Sequence, residues 1–555
     1  MRGAKESVLM QSGPLMMEDA SLTPRPGMLE ATGLGAKLPL AFLFGCILGF
    51  SSAGFDQSWI AWIGVAPLLV ILRSVTGLKE AAFAGLAFGL GYHLVATSWF
   101  LGLFPLRWLG VEDWLGVQLS VLVWILESLH QALLIGGFAF LVFCLPLRSG
   151  FLPHFQRPFF PYMWAVPLIW IYCHWVVGTS ELFLSVPVDQ LAYSQSQHTG
   201  FIQVARLGGA ALVDFILILF NAALAELILD LVHLGRRLDG RMDRLRQRVG
   251  PLFDLSVVAM ILAVCNVWGG WELQKIARET RPEVAILEDP QSQAVPIAVV
   301  QGNISIEEDR LKTTSAKEIS DRYAELSNNL GTSIVVLPEG VVNPVQLAPG
   351  YLVSRLKEIS IREKKEILVG SVESIKNSHV NAARLISPAN PVHNLYVKRR
   401  LVPIGELAPL KAIEDTLPSS IVKRLPSQQM SFLVSKTTEL PHSLWGPMGV
   451  SICSEIVYPR LLAREVRKGA TILVNLSNLA WFHNSSLNKQ VLAAAVFRAV
   501  ENGRYLVLST NTGISALIDP AGIVTAVSYP GKRGVLLGTV QFLYKKTPFS
   551  RMWWL

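Results

Sequence analysis

A bundle of about seven membrane-spanning helices, followed by an α/β layered domain, is the architecture this sequence predicts. Three observations predict it. Hydrophobic residues make up 51% of the 555-residue chain and charged residues only 16%, and the mean hydropathy is +0.41, a balance foreign to an ordinary soluble protein. The first half concentrates its apolar residues in long runs separated by short polar loops, whereas the second half has soluble composition. Within that second half, short β-branched runs alternate with helical segments, the pattern of a layered α/β domain.

Residues 1–36 are polar and contain Met16, Met17, Met28 and several prolines. They are too long for the charged start of a signal peptide and read as a disordered cytoplasmic leader or an over-long start. A membrane domain over 37–271 comes next, with candidate spans at 38–54, 59–72, 81–101, 115–145, 160–177, 201–232 and 255–268. The second and seventh are short, and the fourth has room for a re-entrant turn.

Basic residues orient these spans. Alternate loops carry Arg73 and Lys79, then Arg148 and Arg157, then Arg236, Arg237, Arg241, Arg244, Arg246 and Arg248, whereas the intervening loops hold Arg107 and almost nothing else. The basic loops therefore face the cytoplasm. With the N-terminus inside, seven spans put the second half of the chain on the outer side. The same bias accounts for the formal net charge of +8, so nucleic acid is not an expected partner. Ionisable residues inside the runs, His93, Glu127, His174, Asp214 and Glu226, are expected to make helix-to-helix hydrogen bonds or to lie near an interface.

After a linker over 272–295, the α/β domain occupies 296–545, with a tail at 546–555. Strand-like runs lie at 296–301, 333–337, 366–370, 394–401, 449–453 and 471–476, with helical stretches at 315–330, 352–364 and 487–502. Of five cysteines, Cys46, Cys144, Cys173 and Cys265 fall in apolar runs and read as small core residues. Cys453 stands alone in the soluble half. It has no partner there for a disulfide, which marks it as a candidate nucleophile. No histidine or cysteine cluster has metal-ligand spacing, so neither a metal nor another cofactor is expected.

Three strand ends carry reactive side chains. One is Val335-Val336-Leu337-Pro338-Glu339-Gly340, which places a carboxylate directly after a buried strand. Another runs from Tyr396 through Lys398 to Glu406, and the third is Val450-Ser451-Ile452-Cys453-Ser454-Glu455, where a strand ends on cysteine and a helix is expected next. Taken singly, a loop carboxylate, a solvated lysine or a core cysteine explains each.

In the order Glu, Lys, Cys the three resemble the nitrilase superfamily, whose domain is an αββα sandwich, and the fuller pattern resembles the bacterial apolipoprotein N-acyltransferase family. The resemblance covers nearly all residues from about 41 to 540. Its most specific pieces are Val299-Val300-Gln301-Gly302-Asn303-Ile304, Leu337-Pro338-Glu339, Lys398 through Glu406, Ser451-Ile452-Cys453 with Glu455-Ile456, and Asn475-Leu476-Ser477-Asn478 with Trp481-Phe482. Arg498 through Arg504 and Thr510 through Ser515 belong to the same pattern, as do Ala66-Pro67-Leu68-Leu69, Ser98-Trp99 and Tyr193-Ser194-Gln195 in the membrane half. Departures from the family pattern fall at Leu479, Val491, Leu508, Ser454 and Arg310, and the chain stops at Leu555 without the further membrane helix common in the family. None of these touches the Glu339, Lys398 and Cys453 triad; they bear on acceptor or lipid recognition.

A thiol with a pKa near ~8.5 is mostly protonated at neutral pH and needs a base or a positive field to attack an ester. Glu339 is the expected base, and Lys398 with a helix N-terminus after Cys453 is expected to favour the thiolate. Lys398 and backbone N–H groups near Cys453 would also meet the oxyanion formed on attack. The resemblance further implies that Glu406 holds the lysine charged and oriented and that Glu455 supports the same pocket. It implies a phospholipid as acyl donor, the α-amine of a diacylglyceryl-cysteine on an exported lipoprotein as acceptor, and a thioester on Cys453 between them. Such an enzyme sits in the bacterial cytoplasmic membrane with its site on the outer face. Residues 407–417 and Trp481-Phe482 are candidate lids or substrate contacts, with ordinary core packing as the alternative. Two other readings remain: a membrane-tethered amidase of the same fold, and a lipoprotein-binding scaffold without turnover.

Overall fold

The computed structural model describes residues 34–145, 147–148, 160–179, 190–234, 243–281, 293–311, 313–342, 350–375, 378–388, 394–402, 406, 432–434 and 439–552. The expected leader lies outside these except for its last residues, because the first described helix, α1 (Leu34–Gly49), begins inside it. After it come α2 (Ile60–Ile63), α3 (Ala66–Leu72), α4 (Leu78–Ala96), α5 (Asp113–Cys144), α6 (Tyr162–Thr179), α7 (Thr199–Ile202), α8 (Ala205–Leu234) and α9 (Asp243–Glu279). Among the described residues, three stretches are long and apolar enough to cross a bilayer by themselves, Asp113–Cys144, Ala205–Val232 and Leu252–Glu279. Helix α4 lies between α1 and α5 with glycines at both contacts. A Cβ on Gly45 or Gly91 would run into the α4 or α1 backbone, and one on Gly85 or Gly89 would run into α5, the small-residue approach that replaces a hydrophobic driving force in lipid.

Several expectations change here. The fourth apolar run holds no re-entrant turn, because α5 is one uninterrupted helix of 32 residues. The second is two short helices separated at Gly64 and Val65. The seventh is not short: α9 continues to Glu279, past the apolar run and into the expected linker. At 37 residues it spans roughly 55 Å at 1.5 Å per residue, well beyond the ~30 Å of a hydrocarbon core. Helix α8 breaks at Gly208 and Gly209, the latter at φ 71°. A Cβ there would lie 2.5 Å from the Phe549 ring, so conformation and space both require glycine.

Of the intramembrane ionisable residues, Asp214 does bridge elements: it accepts from the Ala192 amide at 2.6 Å and the Gln190 amide group at 2.9 Å. Glu226 on α8 pairs with Arg73 at 3.0 Å. Glu127 and His174 have partners within their own helices, Gln131 and the Trp170 carbonyl, because residues four apart face one another on a helix. The cysteines likewise divide. Only Cys173 is buried; Cys46 and Cys265 are half-buried and Cys144 is exposed, since an apolar run in a membrane helix has an outer face as well as an inner one.

The second half is a sandwich of two six-stranded sheets. Its strands are β1 (Ala294–Gln301), β2 (Ile334–Val336), β3 (Glu366–Ile375), β4 (Ser378–Ile386), β5 (Asn394–Val397), β6 (His442–Ser443), β7 (Gly446–Ile452), β8 (Ile472–Ser477), β9 (Leu506–Thr510), β10 (Ala516–Ile518), β11 (Val524–Val527) and β12 (Gly534–Gln541). One sheet has the order β12-β1-β2-β3-β4-β5 and the other β11-β10-β9-β8-β7-β6. In each, three central strands run parallel, β1 to β3 and β7 to β9. Alternation along these strands builds the core: Ile297, Val299, Val336 and Leu368 of the first sheet share one buried cluster with Val450, Ile452, Val474 and Leu476 of the second, as period-two strands require.

Helices cover both outer faces. On the first sheet, α11 (Ala316–Leu326) and α12 (Tyr351–Glu363), after the short α10 (Ile306–Arg310), bury Tyr323, Leu352 and Leu356 against Val300, Val335 and Val369. On the second lie α13 (Pro459–Arg467), α14 (Leu487–Asn502) and the terminal turn α15 (Pro548–Arg551). Their core is continuous with that of the membrane helices: Leu473, Leu508 and Phe497 belong to one buried cluster with Phe88, Val213 and Leu217. Helix α14 therefore has no solvent face, and 14 of its 16 residues are buried. A helix packed on all sides loses its amphipathic stripe.

Candidate active site

Three strand ends converge at the carboxyl edge of the sandwich. Strand β2 stops at Val336, and Leu337 and Pro338 carry the chain to Glu339. Gly370 on β3 makes room for that turn, since a Cβ there would lie 2.6 Å from Glu339 Cα. Lys398 directly follows β5, its amide donating to the Asn381 carbonyl at 2.8 Å. Strand β7 ends at Ile452, and Cys453 comes next at φ 52°. This left-handed conformation is strained for a cysteine.

The structure brings Glu339, Lys398, Cys453 and Glu406 together. Lys398 is fully buried, with its Nζ 3.5 Å from Glu339 Oε1 and 2.9 Å from Glu406 Oε2. Burial opposes its charge, but Glu406, Glu339 and Cys453 outweigh that and hold it above the usual lysine range. Cys453 is half-buried. Burial pushes its thiol up, and so does the Glu339 carboxylate to which the thiol donates a hydrogen bond; Lys398 pulls it down by less. Lys398 was expected to favour the thiolate; burial and the Glu339 carboxylate act in the opposite direction and favour the protonated thiol. The expected helix after the nucleophile is a 3₁₀ turn instead, Cys453–Val457, and α13 begins only at Pro459. A turn of this length lacks the aligned dipoles of a helix.

Glu455 lies one step outside this group. Fully buried, it accepts from Tyr396 Oη at 2.7 Å, from the Arg399 and Arg400 amides at 2.7 and 3.1 Å, and from the Ile452 amide at 2.8 Å. Burial raises its pKa against those hydrogen bonds. It ties the cysteine turn to the chain leaving Lys398, and it occupies the Ile452 N–H, one of the backbone donors beside Cys453. Trp481 and Phe482 pack on the membrane half. The Trp481 ring meets Trp108 at 4.9 Å, and Phe482 meets Trp99 at 4.9 Å and Phe100 at 6.0 Å, so they are junction residues. The other expected lid, 407–417, lies outside the described residues.

Two further residues complete the site: Asn381, which the sequence did not single out, and Asn478, which it placed in a motif but gave no role. Asn381 on β4 is 4% exposed, and its Nδ2 donates to Glu339 Oε1 at 2.7 Å and Glu406 Oε1 at 2.8 Å. It sits in Ser-His-Val-Asn-Ala-Ala-Arg-Leu-Ile, whose paired alanines hide the strand; a polar residue between buried Val380 and Ala382 was the available signal. The Asn478 amide donates to Glu339 Oε2 at 2.9 Å. Glu339 is thereby held on both oxygens while its carboxylate still faces the thiol. The departures Leu479, Val491 and Leu508 are buried core residues.

This four-layer sandwich is a carbon–nitrogen hydrolase domain, and the carbon-nitrogen hydrolase family model matches residues 296–545. The model of the apolipoprotein N-acyltransferase N-terminal domain matches residues 44–223. Apolipoprotein N-acyltransferase of Gloeobacter violaceus is 28% identical over 87% of this chain and 84% of its own length. That of Geobacter metallireducens is 28% identical over 95% and 92%. Among solved structures, Saccharomyces cerevisiae Nit3, a member of branch 10 of the nitrilase superfamily, is similar over 45% of this chain and 92% of its own, at 16% identity and a TM-score of 0.35. With both domains present in order, the chain belongs to the apolipoprotein N-acyltransferase family. It is a membrane protein and an acyltransferase.

Proposed function

We propose that this enzyme moves an acyl chain from a membrane phospholipid to the α-amine of an N-terminal diacylglyceryl-cysteine on an exported lipoprotein, through a thioester on Cys453. The observation that carries this reading is the buried contact of Cys453 with Glu339 and Lys398 on a domain whose outer layer merges with membrane helices. Glu339 takes the thiol proton as sulfur attacks the ester carbonyl. The developing oxyanion is met by the Lys398 ammonium, already charged and fixed by Glu406. On collapse the glycerol oxygen leaves with the proton from Glu339. The acceptor amine then attacks the thioester, gives a proton to Glu339 and expels the cysteine sulfur, which regains it. No step consumes or requires a further cofactor.

Both substrates are anchored in lipid, so a site beside the bilayer avoids drawing acyl chains into water, at about 0.8 kcal/mol per CH₂. About seven spans are proposed, with α2 and α3 as the second, the N-terminus in the cytoplasm and the catalytic domain on the outer face of the inner membrane. The basic residues near the start of α9 and the docking of its far end against the catalytic domain support this orientation. A periplasm-active reporter fused after Leu555 should be active; activity only from a cytoplasmic reporter overturns the topology.

The chemistry is tested with purified protein, labelled phospholipid and no acceptor. Label should remain on Cys453 in a hydroxylamine-sensitive bond, be absent from Cys453→Ala, and discharge onto a diacylated lipopeptide with a free α-amine. Release of free fatty acid without transfer would identify a hydrolase instead. Absence of any label on folded protein with a free Cys453 thiol would leave only a scaffold.

A further inference from the structure

A second lipid site lies away from the triad, where α9 leaves the membrane half. Along α9, Met260, Val264, Val267 and Trp271 are 61%, 61%, 75% and 57% exposed. Their spacing of four, three and four residues makes one continuous apolar stripe. The next position on it is Lys275, whose ammonium sits 5.3 Å from the Trp271 ring centroid. Trp271 and Lys275 form the mouth of a cavity of about 460 Å³ between α9, the start of α8 and the catalytic domain. A tryptophan and a lysine at the end of an apolar stripe mark the level of lipid head groups.

Among the described residues that line it, the cavity carries more positive than negative charge. Four cations line it, Arg206, Lys275, Lys545 and Lys546, against two carboxylates, Glu272 and Glu279. Glu272 is shared, lying 3.2 Å from both Arg206 Nε and Lys275 Nζ, and Glu279 takes Lys545 at 2.5 Å. Lys546 donates to the Arg467 carbonyl at 2.9 Å. Behind the wall, buried Arg504 donates to the carbonyls of Ala470, Gly503, Tyr544 and Lys545, and burial together with nearby Arg206 disfavours its charge. An anion in the cavity would offset the repulsion between Arg206 and Arg504. At the α9 terminus the Thr280 carbonyl is already capped by Gln541 at 3.0 Å.

We infer that this cavity binds the head group of an anionic phospholipid whose acyl chains lie along the Met260 to Trp271 stripe. The site is separate from the donor site. Ala470 and Arg504 precede β8 and β9, whereas Cys453 and Asn478 come after β7 and β8, so the two sites stand about 20 Å apart, the length of a six-residue strand. Bound there, a lipid touches both halves of the chain and holds them together.

The test uses the full chain in detergent micelles, with binding followed by native mass spectrometry and by thermal unfolding. Phosphatidylglycerol should be retained and should raise the unfolding temperature, while phosphatidylcholine does so weakly and glycerol phosphate not at all. Lys275→Gln with Lys546→Gln should weaken phosphatidylglycerol binding by at least about tenfold, and Glu279→Gln should tighten it, since each basic or acidic group near the surface shifts binding of an anionic lipid. Acylation of Cys453 should proceed in all these variants, which separates this inference from the proposed chemistry. Equal binding of the two lipids, equal protection by glycerol phosphate, or weaker binding in Glu279→Gln overturns it.

Discussion

The thiol of Cys453 meets opposing fields. Burial and the Glu339 carboxylate hold the proton on sulfur, and Lys398 draws it off less strongly. Glu339→Gln removes the negative neighbour, so the thiol pKa should fall and alkylation of Cys453 by a small reagent at neutral pH should speed up, while acyl transfer collapses for want of a base. A pH profile of alkylation checks the sign; an unchanged midpoint would mean that the carboxylate does not govern the thiol. Lys398 is pinned by two carboxylates within 3.5 Å, and an arginine would bring a planar fork into space built for a compact ammonium. Lys398→Arg should lower turnover by at least about a hundredfold, the scale of one oxyanion donor, with the folded state retained by near-ultraviolet circular dichroism. Glu339, Lys398 and Cys453 were legible as residues because they stand at strand ends in recognisable runs, and Glu406 because it closes the run that starts at Tyr396. Asn381 was not, since its meaning depends on the two carboxylates that other strands bring to it.

Among elements, α14 does the joining. Its Arg498 and Glu501 are fully buried and paired at 2.7 Å. Glu501 Oε1 also accepts the Ala210 amide at 2.8 Å, where α8 restarts after its glycine break, and Arg498 donates to the Ile456 carbonyl in the turn after Cys453. One ion pair thus ties a membrane helix to the turn after Cys453. Glu501→Gln strands a buried guanidinium and should cost about 3–5 kcal/mol. Arg498→Met with Glu501→Gln should recover much of that loss, because no unpaired charge remains; denaturant unfolding of both variants decides it. Helix α14 was read from sequence with its bounds intact. Its lack of any exposed face was not, because burial on the far side comes from helices more than 200 positions earlier in the chain.

At the scale of the molecule the two halves share one core, in which Phe497 and Leu508 lie with Phe88 and Leu217. Cross-links add to it: the Gln490 side chain donates to the Ala96 carbonyl at 2.8 Å, Gln203 to the Ala521 carbonyl at 2.9 Å, and Lys489 pairs with Asp56 at 2.5 Å. A fragment starting at residue 293 would expose the membrane-facing side of α14 as an apolar patch. Such a patch promotes association, so that fragment should aggregate in buffer and become monodisperse only with detergent, as size-exclusion chromatography would show. A soluble monomer would mean that the halves dock loosely.

Local chemistry determined a good deal from sequence alone. Apolar runs and the placement of arginines marked a membrane half, β-branched runs marked a layered α/β half, and motif order marked Glu339, Lys398 and Cys453, because each of these signals is carried by neighbours in the chain. Tertiary structure decided what distant segments do to one another. It set burial and the carboxylate that follows β2 against the lysine that follows β5 at the Cys453 thiol. It assigned Trp481 and Phe482 to the junction with Trp99 and Trp108, and it assembled Asn381, Asn478 and Glu455 around the triad. Fields, burial and shared hydrogen bonds depend on separations through space, and a chain read residue by residue carries no record of those.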